Sequence, residues 1–124
     1  MIDIDTLDWS LPISEQSSNI ARYQPVNDNE IPCLILPFRK KNCWRNCAIL
    51  LSTIDNSRLA PFLPQILEWY KDLNWPGFEI ISKLIRRFSN EQIIEAVHIA
   101  SHRALIEDDM EWYENLLCSF PSQQ

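Results

Sequence analysis

From Asn42 onward apolar residues return at intervals of three and four, the spacing that lines them up along one face of an α-helix. Trp44, Cys47, Ala48 and Leu51 make the first such stripe, with Asn42 placed to cap it. Phe62, Leu63, Ile66, Leu67, Tyr70 and Leu73 make the second, with Pro64 in its first turn, where a missing N–H is tolerated. That stripe stops at Asn74-Trp75-Pro76-Gly77, and Phe78, Ile81, Leu84, Ile85 and Phe88 form a third. Ser89 and Asn90 can cap a fourth helix carrying Ile93, Ile94, Val97, Ala104 and Leu105, with Glu91 favourably placed in its first turn. A fifth helix begins near Asp108 or Asp109, carries Trp112, Tyr113, Leu116, Leu117 and Phe120, and ends at Pro121. Each is too short to be stable alone, so the five must stack their apolar faces, and the short links predict antiparallel neighbours in a bundle or a helical-hairpin solenoid.

Before Asn42 the pattern is irregular. Pro12, Pro25, Pro32 and Pro37 interrupt any long helix, leaving Ser14 to Tyr23 as the one helical group. The apolar stretch Cys33-Leu34-Ile35-Leu36, with prolines on both sides, fits a short strand or an extended segment laid across the helical core, and the extended segment is the favoured reading. The expected organisation is one domain in three parts: an irregular segment over 1–41, packed on or extending from the core, a helical-repeat region over 42–120, and a tail over 121–124.

Composition narrows the class. In 124 residues the apolar share is 46% and the charged share 23%, enough to build a core and therefore to fold. Only Gly77 represents glycine, which argues against the positive-φ turns of a β-sandwich and against a glycine-rich phosphate loop. No apolar run is as long as a membrane span and the first residues are acidic, so a cytoplasmic protein without membrane association is expected. Cys33, Cys43, Cys47 and Cys118 then become small apolar residues in a reducing compartment, not disulfide partners. The net charge of −6 is unevenly spread: residues 1–30 hold six acids and one base, residues 107–124 five acids and no base, and the middle ten bases and six acids. Such polarity suits charge-steered association.

The stretch Leu63-Pro64-Gln65-Ile66-Leu67-Glu68-Trp69-Tyr70-Lys71-Asp72-Leu73-Asn74-Trp75-Pro76 resembles an uncharacterised bacterial domain family marked by Trp-x-x-Asp-x-Asn-Trp-Pro. The resemblance extends through Asp108-Asp109-Met110-Glu111-Trp112 and covers roughly residues 42 to 120. It implies an all-α fold of short HEAT-like hairpins and a likeness to immunity proteins of bacterial toxin systems, including contact-dependent growth inhibition. On that implication the chain is a toxin inhibitor, with no enzymatic activity and no cofactor, which occludes the active site or substrate path of a cognate toxin domain. Nuclease toxins are commonly basic, so a basic RNase is the partner class that acidic ends favour. A helical scaffold or adaptor for a cellular protein is the alternative function, and nucleic-acid binding through the basic middle the third.

For a protein-binding role the first choice of contact surface is Glu107, Asp108, Asp109, Glu111 and Glu114, with Trp112 or Tyr113 as aromatic anchors. The second is Asp3, Asp5 and Asp8 with Trp9, on a mobile arm that orders against a partner. Asn74 to Gly77 predicts a structural corner, with Asp72 capping nearby amides. His98 and His102 share a helix face, as do Cys43 and Cys47, but neither pair has a recognisable third ligand, so no metal site is expected. Cys118 with His98 lacks a nucleophile motif, and no catalytic residue is assigned. Arg39, Lys40, Lys41, Arg45, Lys83, Arg86, Arg87 and Arg103 are expected to be solvated helix faces more than a phosphate-binding patch, making direct nucleic-acid binding unfavoured.

Overall fold

The computed structural model describes residues 1–121, and among them every regular element is helical. Of the tail expected over 121–124, residues 122–124 lie outside the described residues. The α-helices are α1 (Ile13–Arg22), α2 (Trp44–Ser52), α3 (Asn56–Leu59), α4 (Leu63–Ile66), α5 (Phe78–Ile85), α6 (Asn90–Ile106) and α7 (Met110–Ser119), linked through several 3-10 turns. The all-α class expected from the apolar spacing is therefore the fold. None of the helices is long and apolar enough to cross a membrane among the described residues.

Four of the five expected helices correspond to α2, α5, α6 and α7. Ser89 caps α6 by accepting from the Gln92 N–H while the Gln92 side chain accepts from the Ser89 N–H, a reciprocal box. Asp109 caps α7 by accepting from the Trp112 N–H at 3.0 Å. The second stripe is not one helix. It breaks into the end of a 3-10 turn over Ala60–Phe62, α4 and a second 3-10 turn over Leu67–Lys71, and the short α3 precedes it. Pro61 and Pro64 cause the breaks, because neither ring can donate a backbone bond and each obstructs the carbonyl one turn earlier.

The corner after Lys71 follows from its residues. Asp72 accepts the Asn74 N–H on its side chain at 2.8 Å and the Trp75 N–H on its carbonyl at 3.1 Å, the expected capping role. Trp69 is fully buried and donates its indole N–H to the Pro76 carbonyl at 2.9 Å, tying the start of the corner to its end. Gly77 then sits at φ 88°, and a Cβ there would lie 2.9 Å from the Ala48 Cβ and 3.2 Å from the Trp44 carbonyl oxygen. Only glycine lets α5 begin this close to α2.

In the first 41 residues the helical group expected over Ser14 to Tyr23 is α1, and the segment packs on the core, one of the two dispositions expected of it. Besides α1 there are 3-10 turns over Ile4–Leu7 and Asp28–Leu34, and Leu7, Val26, Ile31 and Leu34 are buried in the same core as the later helices. The apolar stretch from Cys33 is not extended. Its first part completes a 3-10 turn begun at Asn27, whose N–H donates to the Glu30 carboxylate, and only Ile35 is extended before Leu36 reverses the chain at φ 47°. Pro32 is compatible with that turn, which a reading centred on flanking prolines missed.

The segment is fastened at its start. Asn46 of α2, the one buried polar side chain among the described residues, donates to the Leu7 carbonyl at 2.8 Å and to Gln16 Oε1 at 2.9 Å. The Trp9 N–H donates to the Asn42 carbonyl, and the Ile2 N–H to the Glu30 carboxylate. A mobile arm is thus replaced by a docked segment, because buried amides and carbonyls here have partners only in the docked position. Replacing Asn46 by Ala strands the Leu7 carbonyl without its donor. Urea unfolding of Asn46→Ala will show a loss of roughly 1–3 kcal/mol, and limited proteolysis will cut first within residues 1–41.

Candidate functional site

The expected acidic surface lies where α6 turns into α7. Helix α6 ends at Glu107, Asp108 takes a left-handed conformation at φ 56°, and the Asp109 N–H returns to the Ala104 carbonyl at 2.8 Å. An aspartate tolerates that conformation better than most residues, so three consecutive acids can make a tight joint between two helices.

Beneath the joint lies Trp112, fully buried, with its indole N–H donating to the Leu67 carbonyl at 3.1 Å. Two cations cover its ring, Lys71 at 4.7 Å and Arg103 at 5.5 Å from the centroid. The same cations alternate with two carboxylates. Lys71 lies 3.5 Å from Glu68 and 3.7 Å from Glu107, and Arg103 lies 3.3 Å from Glu68 and 3.1 Å from Glu107. Partial burial works against the charge of Arg103, but hydrogen bonds and attraction from Glu107 and Glu68 outweigh it and raise its pKa. Each pair is partly solvated and individually modest, while the closed four-member arrangement fixes the geometry of all of them.

The proposed contact residues therefore separate into groups. Trp112 is a core residue, and the expectation that it anchors a partner is corrected: it belongs to the apolar stripe of α7, which faces the core. Glu107 is spent on the ion network and Asp109 on capping, while Tyr113 is half-buried against the core. Asp108, Glu111 and Glu114 are exposed and pair with no cation among the described residues. Beside them stand large apolar side chains that contribute little to the core: Leu105 is 49% exposed, Ile106 71% and Met110 46%. Leu105 was expected inside. Ile106 and Met110 were missed, although their position next to an acidic helix joint was visible in the sequence.

The other acidic set is committed to the N-terminal segment itself. Asp3 accepts from the Asp5 N–H, Asp5 pairs with Lys40 at 2.6 Å, and Asp8 accepts from the Ser10 N–H at 2.8 Å. That backbone bond holds the Asp8 carboxyl below its usual range. Of the basic residues, Lys40 is paired in this way and Arg103 belongs to the network. Arg87 donates to Asn56 Oδ1 and to the Ser52 and Ile54 carbonyls, clamping the turn between α2 and α3. These three do not combine into a free phosphate-binding patch.

His98 and His102 are exposed on α6, and no group of three or more His, Cys, Asp or Glu side chains converges as a metal site among the described residues. Cys33 and Cys118 are exposed. Cys43 and Cys47 are buried, and burial pushes their thiols up from 9.0 to about 11 and about 12 respectively, so both are neutral at physiological pH.

A family model described as a domain of unknown function, DUF5071, matches residues 39–123, and the chain belongs to that family. The matched stretch contains α2 through α7, while α1 and its flanking turns precede it. No curated protein and no solved structure matches the chain.

A thiol reagent will label Cys33 and Cys118 rapidly in the native protein, and Cys43 and Cys47 only after denaturation. Stability will also fall at alkaline pH. The folded chain keeps protons on Cys43, Cys47 and Tyr70, whose phenol burial lifts from 10.0 to about 12, that the unfolded chain releases earlier. Their contribution is complete below pH 9.0 and is lost as pH rises toward about 12, so urea midpoints should be insensitive to these groups below that window and decline through it.

Proposed function

For a member of a family to which no function is attached, we propose that this protein works by binding another protein, as the immunity partner of a bacterial toxin domain in the cytoplasm. The observation that carries this reading is the surface at the α6–α7 joint. Leu105, Ile106 and Met110 expose apolar area that the core does not use, framed by Asp108, Glu111 and Glu114, which pair with no cation among the described residues. An apolar centre with a charged rim is the usual anatomy of a recognition surface, and the rigid joint holds it with little ordering left to do on binding.

The acids give such a surface a preferred partner. Together with a net charge of −6, they steer the chain toward a basic domain, and nucleases that grip phosphate are commonly basic. A toxin RNase covered at its active cleft or substrate path is neutralised by occupancy, without turnover or cofactor. The HEAT-like hairpin scaffold implied by the Trp-x-x-Asp-x-Asn-Trp-Pro stretch belongs to the same proposal.

The test is co-expression with the C-terminal toxin domain encoded beside this protein's gene, scored by growth and by co-purification. Rescue with a stable complex is expected, and Ile106→Ala should weaken that complex by at least about tenfold. Reversing Asp108, Glu111 and Glu114 to Lys should slow association and reduce its salt dependence. Neither rescue nor complex with a demonstrably active toxin would overturn the immunity reading in favour of an adaptor.

A further inference from the structure

A second surface, which shares Glu68 and Lys71 with the ion network beside the acidic joint, has the opposite character. Between the chain reversal at residues 36–41 and the corner at residues 68–75 lies an open groove of about 410 Å³. That is within the range of small-molecule sites. Its floor is an aromatic corner: the rings of Trp44 and Trp75 meet edge-to-face, with centroids 5.0 Å apart and planes at 66°. Trp44 is held in place by donating its indole N–H to the Pro37 carbonyl at 2.9 Å.

The charges around this corner do not cancel. Arg39, Lys41, Lys71 and Glu68 line the groove, which leaves a local charge of +2 in a chain whose net charge is −6. Lys71 is already paired with Glu68 and Glu107. Arg39 and Lys41 have no carboxylate partner among the described residues, and the Lys41 ammonium stands 5.9 Å from the centroids of both tryptophan rings. Phe38, 83% exposed, forms the lip, with the Arg39 guanidinium 5.2 Å above its ring. Leu36 and Arg39 adopt φ of 47° and 59°, so two non-glycine residues hold an unfavourable backbone where the groove is formed. Such strain persists where surrounding structure enforces it and gathers at ligand clamps.

We propose that this groove binds a small planar anion, an aromatic ring carrying a phosphate or carboxylate. The ring would lie against Trp44 and Trp75 and the anionic group would meet Lys41 and Arg39. The size of the ligand follows from what surrounds the groove. Asp5 is paired with Lys40, and Glu107 with Lys71, so these cations are already matched by acids and add little attraction for an extended polyanion or an acidic protein. A ligand contained within the groove meets mainly the local positive charge.

The full chain can be titrated with adenosine monophosphate and with indole-3-carboxylate, followed by tryptophan fluorescence and calorimetry, with adenosine, indole, inorganic phosphate and a ten-nucleotide DNA strand as comparisons. Saturable binding of at least one of the two ring-bearing anions is expected, tighter than its uncharged counterpart and than phosphate alone. The strand should gain no more than its number of bases accounts for. Lys41→Gln, at an exposed position, should weaken binding about tenfold while leaving the thermal midpoint unchanged. Trp75→Ala should abolish binding, with circular dichroism confirming that the variant is folded. Absence of saturable binding for both probes at millimolar concentration would overturn the proposal, as would affinity indifferent to Lys41→Gln. Much tighter binding of the strand would replace the small ligand with single-stranded nucleic acid.

Discussion

The indole of Trp112 needs a hydrogen-bond acceptor inside the core, because a buried N–H without a partner would cancel much of what burying the ring contributes. The Leu67 carbonyl supplies that acceptor, and can do so because Pro64 and the short 3-10 turn over Leu67–Lys71 depart from regular α-helical bonding there. Asn115 meets the neighbouring requirement by donating to the Tyr70 carbonyl at 2.9 Å. Helix α7 is thereby set against Leu67–Lys71, and that contact carries Lys71 over the Trp112 ring beside Arg103. Both surfaces of interest inherit their geometry from this arrangement: the acidic joint sits above Trp112, and Lys71 forms part of the groove wall.

A second constraint joins the two halves of the molecule. Helix α2 meets the corner through Gly77 on one side and the first residues of the chain through Asn46 on another. The edge-to-face contact of Trp44 with Trp75 lies between these attachments. One short helix thus connects the docked N-terminal segment, the aromatic groove and the tryptophan corner. The family match begins at Arg39, just before α2, yet Leu7, Val26, Ile31 and Leu34 complete the core from outside the matched stretch.

Charge is distributed between internal and external work in a way that residue type does not reveal. Glu107 and Glu111 are both acids near one helix joint, but the first closes a ring of ion pairs and the second faces solvent with no cation among the described residues. Arg87 and Arg39 are both basic, but the first secures a turn through three acceptors and the second stands at a groove lip. What distinguishes them is the set of atoms within about 3 Å, a property of packing and not of composition.

By itself the sequence determined the all-α class, the positions of α1, α2, α5, α6 and α7, the cap at Ser89, and the turn made by Asp72 to Gly77. These depend on apolar spacing and on bonds between residues a few positions apart, so local order is enough to predict them. Only the tertiary structure decided that Trp112 is core while Ile106 is surface, that residues 1–41 are docked, and that Arg39 and Lys41 frame an aromatic groove. Those outcomes depend on partners distant in the chain, Leu67 for Trp112, Leu7 for Asn46 and Trp75 for Trp44, and helical periodicity carries no information about which face meets which.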